Sequence, residues 1–277
     1  MAGRLEGRVA LVTGAASGIG AGIVRRFAVE GSRCLLVDIQ DDAGEGLARE
    51  LGPCVSYMHG DVSDEDAVAA SVAAAIDRFG GLDVMVNNAG ILGAVGPITE
   101  IDGAGWRRTI DVLLNSVFYG IKHAARAMMS QGSGSIINIA STAGVRAGLG
   151  PAVYTAAKHG VVGLTQSVAP ELGRHGVRVN AIAPGGTVTG LTAYVSTGDA
   201  TNLEEAGRRV GSRATIGRPA QPVDIANAAL FLASDEASYV SGAVLVVDAA
   251  GEVISEHGLR FADMETKVVR EAGRTGP

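Results

Sequence analysis

The stretch RVALVTGAASGIGAGIVRRF, residues 8–27, decides the fold. It begins with a continuous apolar run, passes through a glycine-rich turn at Thr13–Gly20, and continues with the spacing of apolar side chains that is typical of a helix. Glycines in such a turn let the backbone approach an anion, which then faces the free N–H groups at the helix N-terminus. The stretch therefore predicts a strand, a turn that can hold a phosphate, and a helix.

The alternation of apolar runs with helical segments continues along nearly the whole chain. We predict six more strands, in SRCLLVDI, PCVSYMHGD, LDVMVNNAG, SGSIINIAS, GVRVNAIAPG and GAVLVVDAA. Continuously apolar strands that alternate with helices form a parallel sheet covered on both faces. We therefore expect an α/β fold, a doubly wound parallel sheet of seven strands, in a single domain spanning residues 1–277. Long helices are predicted at roughly 106–130 and 154–174, and Pro170 should kink or end the second.

The composition limits the classes of function. The 277 residues are 47% hydrophobic and 19% charged, which allows a large buried core, and the formal net charge is −6. That charge argues against binding to nucleic acid or to an anionic membrane surface. No apolar run is long enough to span a bilayer, and Met1–Arg8 lacks the apolar region of a signal peptide, so we expect a cytoplasmic protein.

Cysteine and histidine residues give no sign of a metal site. Cys34 and Cys54 lack metal-ligand spacing, and a disulfide between them is not expected in a chain without a secretory signal. No histidine–carboxylate cluster stands out, so we expect no metal.

Acidic residues at the ends of the second and third strands indicate a dinucleotide site. Asp38 lies eighteen residues after Gly20, where a carboxylate can accept both hydrogen bonds of an adenosine ribose diol and would repel a 2′-phosphate. Since no lysine or arginine lies in the glycine turn or directly after Asp38, the sequence favours NAD over NADP. Asp61 could meet the adenine amino group, and Val62 could pack on its ring. Two alternatives stay open, because Asp38 could cap the next turn and Asp61 could cap the following helix.

Five motifs occur in a fixed order. They are the glycine turn TGAASGIG, NNAG at Asn87–Gly90, Ser141, YTAAK at Tyr154–Lys158, and APG at Ala183–Gly185. Together they resemble the short-chain dehydrogenase/reductase family over about residues 5–250, and five weak motifs in the right order and spacing are not expected by chance. The resemblance implies a Rossmann-type fold that binds NAD(H) or NADP(H) and transfers hydride to or from a carbonyl carbon.

The resemblance also implies catalytic roles. Tyr154 is expected to be the general acid/base, Ser141 to hold the substrate oxygen, Lys158 to lower the pKa of the tyrosine, and Asn115 to complete a proton relay through water. Positions 154 and 158 are one helical turn apart and face the same way. A lysine cation and the positive nicotinamide of the oxidised cofactor favour tyrosinate, which can take an alcohol's proton while hydride leaves for the nicotinamide.

The implied cofactor site extends beyond the glycine turn. Thr189 matches the threonine of the family's PGxxxT pattern, which contacts the nicotinamide carboxamide. Thr187 stands where the family more often has valine or isoleucine, and its backbone could still bind the carboxamide. The residues expected to bind NAD are Gly14, Ser17, Gly18, Ile19, Gly20, Asp38, Ile39, Asp61, Val62, Asn88, Ala89, Gly90, Tyr154, Lys158, Pro184, Gly185, Thr187 and Thr189.

The walls expected around the substrate are mostly apolar. We expect residues 189–217 to form a lid over the substrate, and residues 91–98 and 142–152 to supply other walls. Gly, Ala, Val and Leu dominate them, which favours an apolar or cyclic secondary alcohol or ketone. Within the family, the chain looks most like NAD-dependent alcohol dehydrogenases of cyclic or terpenoid-like substrates, including the secoisolariciresinol dehydrogenase type.

The end of the chain and its long helices bear on assembly. VDAAGEV follows the last strand where the family usually has paired glycines, which affects the shape of the pocket more than the core chemistry. The tail at residues 252–277, with a weakly helical pattern at 262–272, exceeds the usual family length and could cover a neighbouring subunit or be disordered. Family members commonly pair the two long helices across a dimer interface within a tetramer, so a homotetramer is expected.

Three other functions fit parts of the sequence. An NADPH-dependent 3-oxoacyl thioester reductase of the same family is disfavoured by Asp38 and by the lack of an obvious basic patch for an acyl carrier. A non-catalytic NAD-binding sensor or scaffold would be expected to lack Tyr154, Lys158 or Ser141, and all three are present. A methyltransferase with a similar glycine turn would have no role for these three residues.

Overall fold

The computed structural model describes residues 3–212 and 214–253. Within them the strands are β1 (Val9–Thr13), β2 (Arg33–Asp38), β3 (Val55–His59), β4 (Val84–Asn87), β5 (Gly134–Ile139), β6 (Val177–Pro184) and β7 (Val244–Val247). They form one sheet in the order β3-β2-β1-β4-β5-β6-β7, and all neighbouring strands run parallel. The predicted α/β fold with a doubly wound, seven-stranded parallel sheet is confirmed.

Helices connect the strands and cover both faces of the sheet. They are α1 (Gly18–Val29), α2 (Asp41–Leu51), α3 (Glu65–Phe79), α4 (Gly103–Ile110), α5 (Ser116–Gln131), α6 (Ala152–Gly173), α7 (Gly190–Thr197), α8 (Leu203–Gly211) and α9 (Pro222–Ala233). Helices α1, α2 and α9 pack on one face, and α3, α5 and α6 pack on the other.

Each face of the sheet has its own hydrophobic core. Side chains alternate between the two faces of a strand, so Val12 belongs to the core under α1 and α9 while its neighbour Leu11 belongs to the core under α5 and α6. Phe27 of α1 and Met128 of α5 are fully buried, one in each core. This double burial is the reason that the strands are continuously apolar.

The strand order reverses between β1 and β4, which are neighbours in the sheet. Open parallel sheets bind ligands in the crevice outside the carboxyl ends of the strands at such a switch point. The glycine turn follows β1 and the NNAG motif ends β4. The fold therefore brings the two predicted motifs together at this crevice.

The two long helices differ from their predictions in detail. The first runs from Gly103 to Gln131, but a wider π-helical turn at Asp111–Asn115 separates α4 from α5. The second helix, α6, passes through Pro170 and continues to Gly173, so it does not end at the proline. Pro170 lies near the C-terminal end of α6, where its missing N–H removes one hydrogen bond and few residues follow.

The segment at 189–217 contains two helices that the sequence did not predict, α7 and α8. Val188, Ala193, Ala206 and Val210 form a small core between them, separate from the two main cores. Residue 213 lies outside the described residues. So do residues 254–277 of the predicted tail, with the weakly helical pattern at 262–272.

Three further observations apply to the part of the chain that the structure describes. None of its helices is long and apolar enough to cross a membrane. No group of three or more His, Cys, Asp or Glu side chains in it is arranged to hold a metal ion. Cys34 is buried, Cys54 is partly buried, and both are free thiols.

Candidate active site

The glycine turn after β1 has room only for glycine at two positions. Gly14 has a positive φ of 61°, and a Cβ placed there would lie 2.6 Å from the Cα of Ala89. A Cβ on Gly20 would lie 2.2 Å from the carbonyl oxygen of Gly14. Backbone atoms therefore pack directly against one another in this turn. The close packing leaves a cradle at the start of α1, of the kind that admits a pyrophosphate.

Four hydrogen bonds join this turn to the residues that follow β4. The Thr13 hydroxyl accepts hydrogen bonds from the backbone N–H groups of Asn88 at 3.0 Å and Ala89 at 3.2 Å. The Asn88 side-chain amide donates to the carbonyl oxygens of Thr13 at 2.8 Å and Gly14 at 3.0 Å. Thr13 was not among the predicted site residues, although it begins the glycine motif.

Asp38 lies buried at the end of β2. Its carboxylate accepts hydrogen bonds from the backbone N–H groups of Ala16 at 2.9 Å and Gln40 at 3.0 Å. Helix α2 begins at Asp41 with Gln40 as its N-cap, so Asp38 does not cap the helix, although it does bind the turn that leads into it. The Gln40 side-chain amide also donates to Oδ1 of Asp38 at 3.3 Å, so it is Oδ2 that keeps a lone pair for a further donor.

Asp61 does not cap the helix that follows it, so that alternative is wrong. The N-cap of α3 is Asp64, whose side chain accepts from the N–H of Asp66. Asp61 instead accepts hydrogen bonds from the backbone N–H of Ser63 at 2.9 Å and from its hydroxyl at 2.7 Å. Burial by itself would raise the pKa of Asp61, but Ser63 and the Arg108 guanidinium hold that pKa below its usual value.

The segment between β6 and α7 lies against the glycine turn. A Cβ on Gly18 would lie 3.3 Å from Cγ2 of Thr189, so the two predicted cofactor elements touch. The Thr189 hydroxyl caps α7 by accepting from the N–H of Thr192 at 3.2 Å. The carbonyl oxygen of Thr187 accepts from the Thr192 hydroxyl at 2.6 Å. The structure thus gives both threonines local partners that the sequence did not predict.

The other predicted cofactor residues lie at or just after the carboxyl ends of the strands. Ser17 is the N-cap residue of α1, and its side chain makes no capping hydrogen bond. Ile39 follows Asp38 and exposes 56% of its surface at the end of β2, and Val62 follows Asp61 and is buried. Remaining members of the set lie in the glycine turn, at the end of β4 and at the end of β6: Gly18, Ile19, Gly20, Gly90, Pro184 and Gly185.

Ser141, Tyr154 and Lys158 converge at the carboxyl end of β5. The Lys158 ammonium is buried, donates to the carbonyl oxygen of Ile139 at 2.7 Å, and lies 5.8 Å from the centre of the Tyr154 ring. The Ser141 hydroxyl oxygen accepts from the N–H of Ala143 at 3.1 Å, which leaves its proton free to be donated. A partly buried tyrosine, a serine donor and a fixed lysine therefore share one side of the crevice.

The electrostatics of this group depart from the sequence expectation. Burial raises the pKa of Tyr154, the Ser141 hydroxyl opposes that rise by hydrogen bonding, and the Glu252 carboxylate adds to it. Burial also lowers the pKa of Lys158 to about 8. The tyrosine pKa is thus not lowered as the helical spacing suggested, because loss of solvation outweighs the hydrogen bond from Ser141.

Asn115 lies in the π-helical turn between α4 and α5. Its side-chain amide donates to the carboxylate of Asp111, one turn earlier, at 2.8 Å. The turn packs against α6, since a Cβ on Gly160 would lie 2.9 Å from a methyl carbon of Leu114. Such widened turns inside α-helices often occur at functional sites.

The sequence did not predict Glu252 as a site residue. Its carboxylate accepts hydrogen bonds from the Thr142 hydroxyl at 2.6 Å and from the N–H of Gly186 at 3.0 Å. Thr142 directly follows Ser141, and Gly186 directly follows the APG motif. The only signal in the sequence was the unusual VDAAGEV after the last strand.

The fold and these residues define a class of protein. A parallel sheet with a glycine turn at its switch point and an acidic residue ending the second strand is characteristic of dinucleotide-binding α/β proteins. Comparisons with known proteins narrow this class to a family. A family model described as enoyl-(acyl carrier protein) reductase matches residues 14–250.

Individual relatives match over almost their whole length. The chain is 46% identical to zerumbone synthase of Zingiber zerumbet over 267 residues, which cover 93% of this chain and 98% of that protein. It is 44% identical to (+)-borneol dehydrogenase 2 of Salvia officinalis, with 93% of both chains covered. The crystal structure of levodione reductase matches with a TM-score of 0.82 and 38% identity, covering 89% of this chain and 98% of that one. The chain belongs to the short-chain dehydrogenase/reductase family, whose members are oxidoreductases that act on CH–OH groups with a nicotinamide cofactor.

Proposed function

We propose that this enzyme transfers hydride between NAD(H) and an apolar or cyclic secondary alcohol or its ketone. The observation that carries the proposal is the convergence of Ser141, Tyr154 and Lys158 beside the glycine cradle at the switch point. A proton carrier next to a dinucleotide cradle is what reversible alcohol oxidation requires, because a proton and a hydride leave the same carbinol.

The residues around the cradle fit a dinucleotide. The close backbone packing at Gly14 and Gly20 leaves no Cβ between the turn and a bound pyrophosphate, and Ser17 and the first N–H groups of α1 would face its charge. Asn88, Ala89 and Gly90 would line the crevice beside it, and Thr187 and Thr189 the nicotinamide end. The nicotinamide supplies the hydride acceptor when it is bound.

Asp38 supports NAD rather than NADP. Its carboxylate is held by two backbone N–H groups, and none of the salt bridges among the described residues involves it. A fixed carboxylate whose Oδ2 keeps a lone pair can accept from a ribose diol and would repel a 2′-phosphate. Ile39, Asp61 and Val62 would line the adenine side.

Tyr154 is the proton carrier in this proposal. Its hydroxyl would take the proton of the alcohol, and Ser141 would donate a hydrogen bond to the same substrate oxygen and hold it in place. Burial raises the pKa of Tyr154, and the positive nicotinamide of the oxidised cofactor would lower it. The ammonium group of Lys158 lies beside the Tyr154 ring. Asn115 would take part in the relay of the proton to solvent.

Apolar walls support the choice of substrate. Ile91, Val95 and Ile98 expose 36%, 64% and 63% of their surface in the loop after β4. Tyr194 and Val195 of α7 are similarly exposed in the segment 189–217, which we propose as the lid over the substrate. The relatives named above also include a dehydrogenase of borneol, a cyclic alcohol.

We further propose that the protein is cytoplasmic and assembles as a homotetramer.

The test is turnover of cyclic and aryl secondary alcohols with NAD or NADP, followed by absorbance at ~340 nm. We expect turnover with NAD, and we expect Tyr154→Phe to lower kcat by about 10²–10⁴-fold while NAD still binds in a calorimetric titration. A preference for NADP would contradict the role of Asp38. Efficient reduction of a 3-oxoacyl thioester with NADPH would favour the thioester reductase, and NAD binding without turnover of any alcohol or ketone would favour a non-catalytic sensor.

A further inference from the structure

The segment after β7 brings a carboxylate close to the predicted catalytic group. Glu252 is held by the Thr142 hydroxyl and the N–H of Gly186, both next to predicted catalytic or cofactor motifs. Its charge contributes to the raised pKa of Tyr154, after burial, so the carboxylate lies within electrostatic reach of the tyrosine hydroxyl. None of the roles proposed above uses this group.

The backbone that carries Glu252 is fixed by specific contacts. The Asp248 carboxylate accepts from the N–H groups of Ala250 at 2.8 Å, Glu252 at 3.1 Å and Val253 at 2.9 Å. Ala249 and Ala250 have positive φ values of 51° and 56°, a conformation that costs on the order of 1 kcal/mol for each alanine. Strained backbone tends to persist at functional sites, where the surrounding contacts hold it in place.

Among the described residues, the hydrogen-bond donors to the Glu252 carboxylate are both neutral. Thr142 and Gly186 are neutral donors, and the Arg146 guanidinium donates at 2.8 Å to the backbone carbonyl of Glu252, not to its carboxylate. Among the salt bridges of residues 3–212 and 214–253, none involves Glu252. Each of its carboxylate oxygens keeps a lone pair, and a carboxylate among apolar walls is stabilised most by a cation that also donates hydrogen bonds.

We propose that Glu252 recognises a protonated amine on the substrate, so that the preferred substrates are cyclic amino alcohols or amino ketones. The ammonium group would bind Glu252 while the carbinol of the same molecule lies at Ser141 and Tyr154. In such a molecule the apolar ring would pack against the apolar walls, and the ammonium would bind the fixed carboxylate. This inference rests on the proposed function, because it assigns the substrate class of the same site.

The test compares matched alcohols in the complete enzyme with saturating NAD. Cyclohexanol is the neutral reference, 3- and 4-aminocyclohexanol carry the ammonium, and the corresponding diols carry a neutral donor at the same positions. We expect the wild type to prefer an amino alcohol over cyclohexanol by about tenfold or more in kcat/KM, mainly through KM. Glu252→Gln should reduce that ratio to near one. Glu171→Gln, which removes a carboxylate from an exposed position of α6, should leave the ratio as it is.

Each outcome decides the inference. A ratio near one in the wild type, or a ratio that survives Glu252→Gln, overturns it. A diol that gains as much as the amino alcohol overturns the argument from charge, and a Glu252→Gln variant that only binds NAD more tightly assigns the carboxylate to the cofactor side instead. Each of these outcomes is measured against oxidation of cyclohexanol by the wild type with NAD. They therefore differ from failure of the proposed function, in which the wild type oxidises no alcohol with either cofactor.

Discussion

Lys158 shows how one buried side chain couples the site to the stability of the fold. Among the described residues its ammonium has one hydrogen-bond acceptor, the carbonyl of Ile139, in an otherwise desolvated position. Burial lowers the pKa of Lys158 to about 8, whereas a lysine in an unfolded chain titrates near ~10.4. Between these two values the unfolded chain binds more protons than the folded one, so the free energy of unfolding rises with pH there.

Replacing Lys158 by methionine should therefore remove a pH dependence of stability. For the cofactor-free wild type, we expect this lysine to contribute a rise of about 2 kcal/mol in the free energy of unfolding between about pH 7.5 and pH 9.5. Lys158→Met should lack that rise, and urea denaturation of both proteins at the two pH values measures it. Below about pH 8 the variant should be the more stable of the two, because the wild type must bury a charged ammonium.

Two results would contradict this prediction. Equal pH dependence in wild type and variant would mean that Lys158 keeps an ordinary pKa in the fold. A wild type that loses stability over the window would mean that a group with a raised pKa dominates, and the candidate is Cys34, because burial raises the pKa of its thiol to about 12. The raised pKa of Tyr154 lowers stability only as pH passes the ordinary tyrosine value of ~10, so measurements are kept below that value.

At the scale of elements, the site depends on how closely α6 packs on the short helical turn at Thr142–Gly144. A Cβ on Gly144 would lie 2.6 Å from the carbonyl oxygen of Lys158, which is backbone and cannot turn aside. We expect Gly144→Ala to push α6 away from Ser141 and to lower kcat on the order of 10²-fold. The affinity for NAD, measured by calorimetry, should change little, because the glycine turn after β1 is untouched.

A glycine within α6 gives the matched control. Gly163 has no atom within 4 Å of a Cβ placed on it, so Gly163→Ala should keep kcat and raise the free energy of unfolding by about 0.5–1 kcal/mol. Equal kcat in Gly144→Ala and wild type would mean that the spacing between the turn and α6 is not critical. Loss of NAD binding in Gly144→Ala would mean that the substitution damages more than this contact.

The elements also explain which parts of the molecule the sequence could predict. The strands were predictable because both faces of a parallel sheet are buried, and the glycine turn because its tight backbone excludes other residues. The π-helical turn at Asp111–Asn115 leaves the apolar periodicity nearly unchanged, and the short helices α7 and α8 bury little beyond a small core of their own. Glu252 reaches Thr142 across a sequence separation of 110 residues, and no local pattern encodes such a contact.

At the scale of the whole molecule, the apolar surface left on α4 and α5 bears on assembly. Trp106, Phe118 and Met129 expose 42%, 45% and 36% of their surface along this helical run. Phe118 lies at the middle of the run, with the Lys122 ammonium 5.8 Å from its ring centre. Exposed large side chains on one helix surface fit burial against a second subunit, which is the arrangement proposed here for the tetramer.

Phe118→Glu should therefore dissociate the assembly, because a carboxylate buried in an apolar interface loses its hydration without gaining a partner. In sedimentation velocity, we expect the wild type at about four times the chain mass of 28.0 kDa and the variant at half of that or less. Val29→Glu places the same charge on α1, where valine is 77% exposed, and should sediment like the wild type. A Phe118→Glu variant that stays tetrameric would show that this helical surface lies outside the interface, and a wild type that sediments as a monomer would refute the tetramer itself.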